Sequence, residues 1–273
     1  MKTPMTPWQL RLFKKTLKKQ QRLRQLQNVL GRPEADERCL LITCGDNNGA
    51  MNWYLRELGG QWSWADLEEK SIAEMSDLLG DPVYRATSDR LPFEEKTFRH
   101  VVCIDVLEHI RDAEGFTREL TRITADGGQV IITVPGGDRR KLANRLKAFV
   151  GMTKEEYGHV RDGFSVAELS DLMAGASIEP RRQITFSRFF TELVELAINF
   201  AYVKKMASKS SVKVEKGTIA PATAQQLKSV EKAYRLYSIL FPFVWSISKL
   251  DYALFFTSGY VSLVEGRRHP DRA

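Results

Sequence analysis

The stretch LPFEEKTFRHVVCIDVLEHI, Leu91 to Ile110, decides how the rest of the chain is read. It opens on a turn at Leu91-Pro92-Phe93, crosses a short charged break and enters an apolar run from Val101 to Ile104. That run ends in a tight group of ionisable side chains, Asp105, Glu108 and His109. An apolar run of this length between turn signals reads as a parallel strand covered on both faces. In open α/β sheets, ligands sit just beyond the carboxyl ends of such strands. The acid and histidine group therefore falls where a functional site belongs.

Working outward, strand-like and helix-like segments alternate. Cys39 to Thr43 is a short apolar run followed by the loop CGDNNG, Cys44 to Gly49. A helix from Ala50 to Leu58 stops at Gly59-Gly60. Trp62 to Ala65 reads as a strand ending in Asp66, Leu67 to Leu79 as a helix and Val83 to Ala86 as a brief strand. A helix around Phe116 to Thr124 stops at Asp126-Gly127-Gly128, ahead of the strand QVIITVP, Gln129 to Pro135. Alternation of this kind predicts parallel βαβ units with right-handed crossovers. Beyond Pro135 come a basic helix (Arg139 to Val150) and a capping box at Ser165 and Glu168. A strand from Ile178 to Ser187 follows. Two apolar helices, Phe189 to Val203 and Ala233 to Ser248, flank a polar linker, Ser208 to Gln225, and GYVSLVEGRR closes the chain as a strand.

The chain of 273 residues is 43% hydrophobic and 27% charged, enough for a sizeable core. Three cysteines, Cys39, Cys44 and Cys103, form no metal-type CxxC spacing and point to a reducing compartment. The start lacks the apolar core of a signal peptide, and the longest uncharged run, Leu236 to Ser248, is too short to span a bilayer. A cytoplasmic protein is expected. The net charge of +7 is unevenly placed: residues 1–33 hold nine Lys or Arg and no acid, leaving the remainder slightly acidic. This arm, Pro7 to Leu30, reads as an amphipathic basic helix.

Two features of the first half suit a nucleoside ligand. The CGDNNG loop opens a helix, where backbone N–H groups and glycine permit close approach of a polar group. Asp66 stands 21 residues after Gly45 at a strand end, the position from which an acid commonly accepts ribose hydroxyls. Each feature also occurs as plain turn chemistry.

The order of segments (glycine loop, acid closing the second strand, LPF…F…VV…LEH, then ELTRITADGGQVIITVP) resembles the class I S-adenosylmethionine-dependent methyltransferases. The resemblance covers about residues 38–187 and the last strand, and GHVRDGFSVAEL (158–169) looks like the segment after strand five in many small-molecule members. It implies a Rossmann-like, mostly parallel seven-stranded sheet with helices on both faces and the last strand antiparallel. The layout is then a basic helix (1–33), a methyltransferase core (34–187), a helical insertion or lid (188–256) and a final core strand with tail (257–273). The resemblance implies S-adenosylmethionine as cofactor, held by Cys44, Gly45, Asp46, Gly49, Asp66, Leu67, Thr87 and Asp105. Thr87 stands where relatives place an acid near adenine, and no acid precedes the loop.

On the acceptor side, Asp105, His109 and His159 are the candidate catalytic residues, because a base is needed when the methylated atom carries a proton. In ubiquinone-type O-methyltransferases, an acid-x-x-Glu-His group of this spacing can hold a divalent metal. The alternative is that Glu108 and His109 cap and anchor the next helix, so no metal is assigned. His100 reads as structural and His269 lies in a polar tail. The apolar helices predict either a plain cap over the sheet or a lipid-facing or hydrophobic acceptor surface. The activity expected is O-methylation of a small, saccharide or lipid-linked acceptor. The arm is expected to touch an anionic membrane on its inner face, and no recognisable nucleic-acid motif accompanies it. The rival readings are an inactive methyltransferase-fold scaffold at a membrane and a nucleic-acid methyltransferase recruited by the arm.

Overall fold

The computed structural model describes residues 6–45, 48–153, 158–208 and 224–269, without side-chain detail for 203–208 and 224. In chain order the elements are α1 (Trp8–Phe13), α2 (Leu17–Leu30), β1 (Arg38–Thr43), α3 (Ala50–Arg56), β2 (Gln61–Asp66), α4 (Glu69–Leu79) and β3 (Val83–Arg85). They continue with β4 (Phe98–Ile104), α5 (Ala113–Ile123), β5 (Thr124–Pro135), α6 (Leu142–Phe149), α7 (Val166–Gly175) and β6 (Ile178–Phe186). The last are α8 (Phe189–Ser208), α9 (Ala224–Ser229), α10 (Glu231–Ser248), a 3-10 turn (Lys249–Leu254) and β7 (Val261–Arg268). Much of the polar linker reading falls on 209–223, outside the described residues.

Among the described residues the strands form one seven-stranded sheet in the order β3-β2-β1-β4-β5-β7-β6. β1 pairs in parallel with β2 and β4, and β4 with β5. Among these described strands only β7 reverses, antiparallel to both β5 and β6. The Rossmann-like sheet expected from the sequence is therefore present, with helices on both faces. β1 and β4 are buried almost from end to end because each face has a cover. One face packs Leu40, Ile42, Val101 and Cys103 against α5 and α7 through Phe116, Leu120, Leu169 and Met173. The other packs Leu41, Val102, Ile104 and Ile131 against Leu23, Leu26, Val29 and Leu30 of α2.

That second layer is where the structure departs from the sequence reading. The basic arm is two helices broken at Lys14-Lys15-Thr16, and its apolar residues face inward onto the sheet. Leu10, Phe13, Leu17 and Leu26 are buried, so the arm cannot also present them to a bilayer. The LPF turn is held by the segment before β5: Arg122 donates to the carbonyls of Phe93 (3.0 Å) and Leu91 (3.2 Å), and the Leu91 N–H donates to Glu119 (3.1 Å). The capping box of α7 forms as its sequence predicts, with Ser165 accepting from the Glu168 N–H.

Candidate functional site

The carboxyl ends of β1, β2 and β4 lie side by side, which brings the glycine loop, Asp66 and Asp105 to one rim of the sheet. Gly45 needs its residue type: at φ +74° an added Cβ would lie 2.9 Å from the Glu68 carboxyl carbon. Gly49 (φ +87°) caps α3, where an added Cβ would meet the Met75 backbone at 3.2 Å. Asp46 lies outside the described residues.

Asp66 holds this loop from beneath. It is fully buried, and its carboxylate accepts from the Thr43 hydroxyl (2.6 Å), the Gly45 N–H (3.0 Å) and the Glu68 N–H (2.7 Å). Burial raises its pKa, against the pull of those three bonds. The Ser71 hydroxyl completes the clamp on the Gly45 carbonyl at 2.7 Å. With its acceptors engaged, Asp66 faces the loop. The partly exposed acid beside Gly45 is Glu68, two residues further on and ion-paired with Lys70 at 2.8 Å. Leu67 is half-buried against the core and donates its N–H to the Thr43 carbonyl at 3.1 Å. Thr87 lies apart and exposed, its hydroxyl capping a turn through the Arg90 carbonyl at 2.9 Å.

A pocket of about 420 Å³, counting its open mouth, lies over the ends of β1 and β4. Thr43, Cys44, Asn48, Met51, Ile104 and Asp105 line it from the core, and Phe13, Lys19 and Arg22 from the arm. Asp105 is strained into the left-handed region (φ +49°) immediately after β4, a conformation that a non-glycine residue keeps only when its surroundings hold it. What holds it is Arg22, whose guanidinium reaches Asp105 Oδ2 at 2.6 Å and Oδ1 at 2.8 Å. Sequence reading missed Arg22 and Lys19 because both lie some eighty residues away. The one available signal was the concentration of cations in an otherwise helical arm. Burial, then Asp66, pushes the Cys44 thiol well above its usual range, so it lines the pocket as a neutral group.

Next to this pocket the other candidates form a second cluster. Glu108, His109 and His159 each offer a ligand atom within 4.8 Å of the others. The His109 and His159 rings meet edge to face at 4.7 Å, and His109 Nδ1 sits 3.2 Å from the Gly158 carbonyl. Glu108 is fully buried, and neither carboxyl oxygen has a hydrogen-bond partner among the described residues. Burial, then Asp105, pushes its pKa well above the carboxylate range. Burial, then His109 and Lys18, lowers His159 to about 3, so this imidazole is neutral at physiological pH. Two imidazoles and a carboxyl form a donor set able to hold a divalent cation. Asp105, which the spacing grouped with Glu108 and His109, turns to Arg22 instead, and His159 takes its place. His100 is structural, bridging Gln129 (2.9 Å) and Glu37 (3.0 Å).

Residues 40–132 match the sequence profile of a family described as "Methyltransferase domain". Norajmaline N-methyltransferase of Rauvolfia serpentina is 35% identical over 66 residues, which is 24% of this chain and 19% of that enzyme. The match thus spans under a fifth of that relative. Among solved structures, phosphoethanolamine N-methyltransferase 2 of Haemonchus contortus in complex with S-adenosyl-L-methionine superimposes with a TM-score of 0.58 at 17% identity, over 92% of this chain and 53% of that one. The [4+2]-cyclase SpnF superimposes with a TM-score of 0.57 at 15% identity, over 92% and 83%. Likeness at these identities is likeness of fold.

Proposed function

We propose that this chain is a class I S-adenosylmethionine-dependent methyltransferase that methylates a hydroxyl oxygen of a small, saccharide or lipid-linked acceptor, a reading supported by the methyltransferase-domain profile that matches residues 40–132. The observation that carries the proposal is the shared pocket, in which Thr43, Cys44, Asn48, Ile104 and Asp105 meet Lys19 and Arg22. Its residues suit the amino-acid end of the cofactor: the cations match a carboxylate, and Asp105 matches an ammonium group. Glu68, partly exposed beside Gly45, suits ribose hydroxyls. Bound there, the cofactor supplies an electrophilic methyl group on a sulfonium.

The residues' remaining work is positional. Phe13 from the arm and Ile104 from the core supply apolar lining on the pocket's two sides, and Arg22 fixes Asp105. A hydroxyl acceptor must also lose a proton. We assign that role to His109, whose ring meets that of His159 at 4.7 Å; His159, with its pKa lowered to about 3, is the weaker acceptor of the two. No helix among the described residues is long and apolar enough to cross a membrane. A second reading, an inactive scaffold of this fold, has one observation in its favour: Arg22 already occupies Asp105 inside the pocket.

The test is incubation of the purified protein with methyl-labelled cofactor and a lysate lipid fraction, followed by phase separation. Label in the organic phase supports a lipid-linked acceptor, and label confined to aqueous metabolites removes it. No label with any fraction, together with no cofactor binding, selects the scaffold.

A further inference from the structure

We propose that the outer face of α10, continued through the 3-10 turn, docks on an anionic lipid bilayer. The observation is an apolar stripe with nothing packed on it among the described residues. Leu236, Ile239, Leu240, Phe243, Ile247 and Leu250 recur at three- and four-residue spacing, the pattern of a single helix face. In a buried helix that face would be covered. Here all six are exposed, with Ile239 and Phe243 at 73% and 72%. Trp245, Tyr252, Phe255 and Phe256 are also exposed, making ten large exposed apolar residues within one segment. A one-faced apolar stripe exposed to this extent marks an interaction site.

The inner face of α10 is already engaged. Tyr234 donates its hydroxyl to the Arg11 carbonyl at 3.1 Å, Tyr237 donates to the Lys15 carbonyl, and the Lys15 ammonium stands 4.6 Å over the Phe241 ring. These contacts bind α10 to the junction of α1 and α2, the arm that carries Phe13, Lys19 and Arg22 into the pocket. A bilayer on the outer face would therefore lie one helix away from the arm that lines the site.

Charge selects the occupant. The exposed charged side chains of this segment are Lys232, Arg235 and the partly exposed Lys249, with Lys228 of α9 just before it, against Glu231 alone, and Glu231 is paired with Arg235 at 2.7 Å. The other acid, Asp251, is buried at the start of α8, accepting from the Arg188, Phe190 and Thr191 N–H groups. The Lys249 ammonium lies 4.2 Å over Trp245 and 5.4 Å over Tyr252, a cation with aromatic rings as found in membrane interfaces. A basic rim around an exposed apolar stripe is the composition of a helix that lies in the plane of an anionic leaflet. Self-association fits less well, because isologous pairing brings each basic flank against its own copy. Residues 209–223, KSSVKVEKGTIAPAT, offer only Val212, Val214 and Ile219 as bulky apolar groups, too few to cover ten.

The experiment is vesicle co-sedimentation of the full chain, with phosphatidylglycerol mixed into phosphatidylcholine and with phosphatidylcholine alone. It reads no turnover, so its outcome is independent of the methyltransferase proposal. The protein is expected to pellet with the anionic vesicles and to stay in solution with the neutral ones. A double variant, Ile239→Glu with Phe243→Glu, is expected to bind at least about tenfold more weakly. Both side chains are exposed, and an unchanged thermal midpoint confirms that the variant folds. Wild-type protein left in the supernatant with anionic vesicles overturns the proposal, as does a double variant that binds like wild type. A dimer in sedimentation velocity that the double substitution dissolves, without vesicle binding, assigns the face to a second copy instead.

Discussion

Arg22 and Asp105 stand 83 residues apart in sequence, yet their side chains meet at 2.6 Å over the end of β4. Arg22 is 7% exposed and Asp105 31%, so the pair closes one side of the pocket while remaining open to solvent on the other. The contact joins the arm to the core at the strained residue where the strand ends. Asp105→Asn keeps the shape and removes the charge, leaving a buried guanidinium unpaired. It should cost about 2 kcal/mol, less than a fully buried pair because Asp105 is partly solvated. Urea denaturation measures it; an unchanged midpoint means that the pair contributes nothing to holding the arm.

Asp66 and Glu68 should separate cleanly. Asp66→Ala removes the acceptor of three hydrogen bonds beneath the glycine loop and should cost about 3 kcal/mol of stability. Glu68→Gln should leave stability nearly unchanged and weaken cofactor binding several-fold. If Asp66→Asn folds normally and loses cofactor affinity while Glu68→Gln keeps it, the assignment of the two acids is reversed.

Glu108 and His159 give opposite pH dependences. Folding raises the Glu108 pKa from its ordinary 4.5, so the folded protein keeps a proton that the unfolded chain releases. Stability therefore falls as pH rises above that value, and Glu108→Gln should remove the slope. Folding lowers the His159 pKa from 6.5 to about 3, so the unfolded chain takes up a proton that the folded protein refuses. Stability then falls as pH drops below 6.5, and His159→Gln should remove that slope. Denaturation midpoints of the three proteins between about pH 4 and about pH 8 show both effects as differences from wild type. Flat difference curves would mean that neither group is buried as described.

The buried Glu192 joins three elements: Lys147 of α6 reaches it at 2.6 Å and Lys18 of α2 at 2.9 Å, while the Ser187 hydroxyl donates to it at 2.7 Å. Burial favours its protonation, but the two lysines together with the hydrogen bonds outweigh that and hold its pKa below the usual range. Its contribution is present at neutral pH and is lost as pH falls through the lowered value. Glu192→Gln removes the carboxylate that pairs both lysines and should cost about 3 kcal/mol, measured by urea denaturation at neutral pH. Wild-type stability in that variant would contradict the role given to this group.

The sheet was legible in the sequence because its signals are local. Val101 to Ile104, Gln129 to Pro135 and the turns between them carry their own periodicity, and the group after β4 follows from where such strands end. The Arg22–Asp105 contact was not legible, since helical periodicity in the arm shows an apolar face without showing what that face covers. Asp66 and Glu68 illustrate a finer limit. Two acids near one strand end look interchangeable until the Thr43 hydroxyl and two N–H groups show which carboxylate is already engaged. The stripe on α10 is the converse case: its spacing is that of a core helix, and only the packing shows it facing outward.

The central claim is that the pocket between the arm and the ends of β1 and β4 holds the methyl donor. Isothermal titration calorimetry of the full chain with S-adenosylhomocysteine tests it most directly, with Asp105→Asn and Glu68→Gln beside wild type. We predict saturable binding with a dissociation constant below about 100 μM, weakened in both variants. No heat at millimolar ligand, or wild-type affinity in both variants, contradicts it.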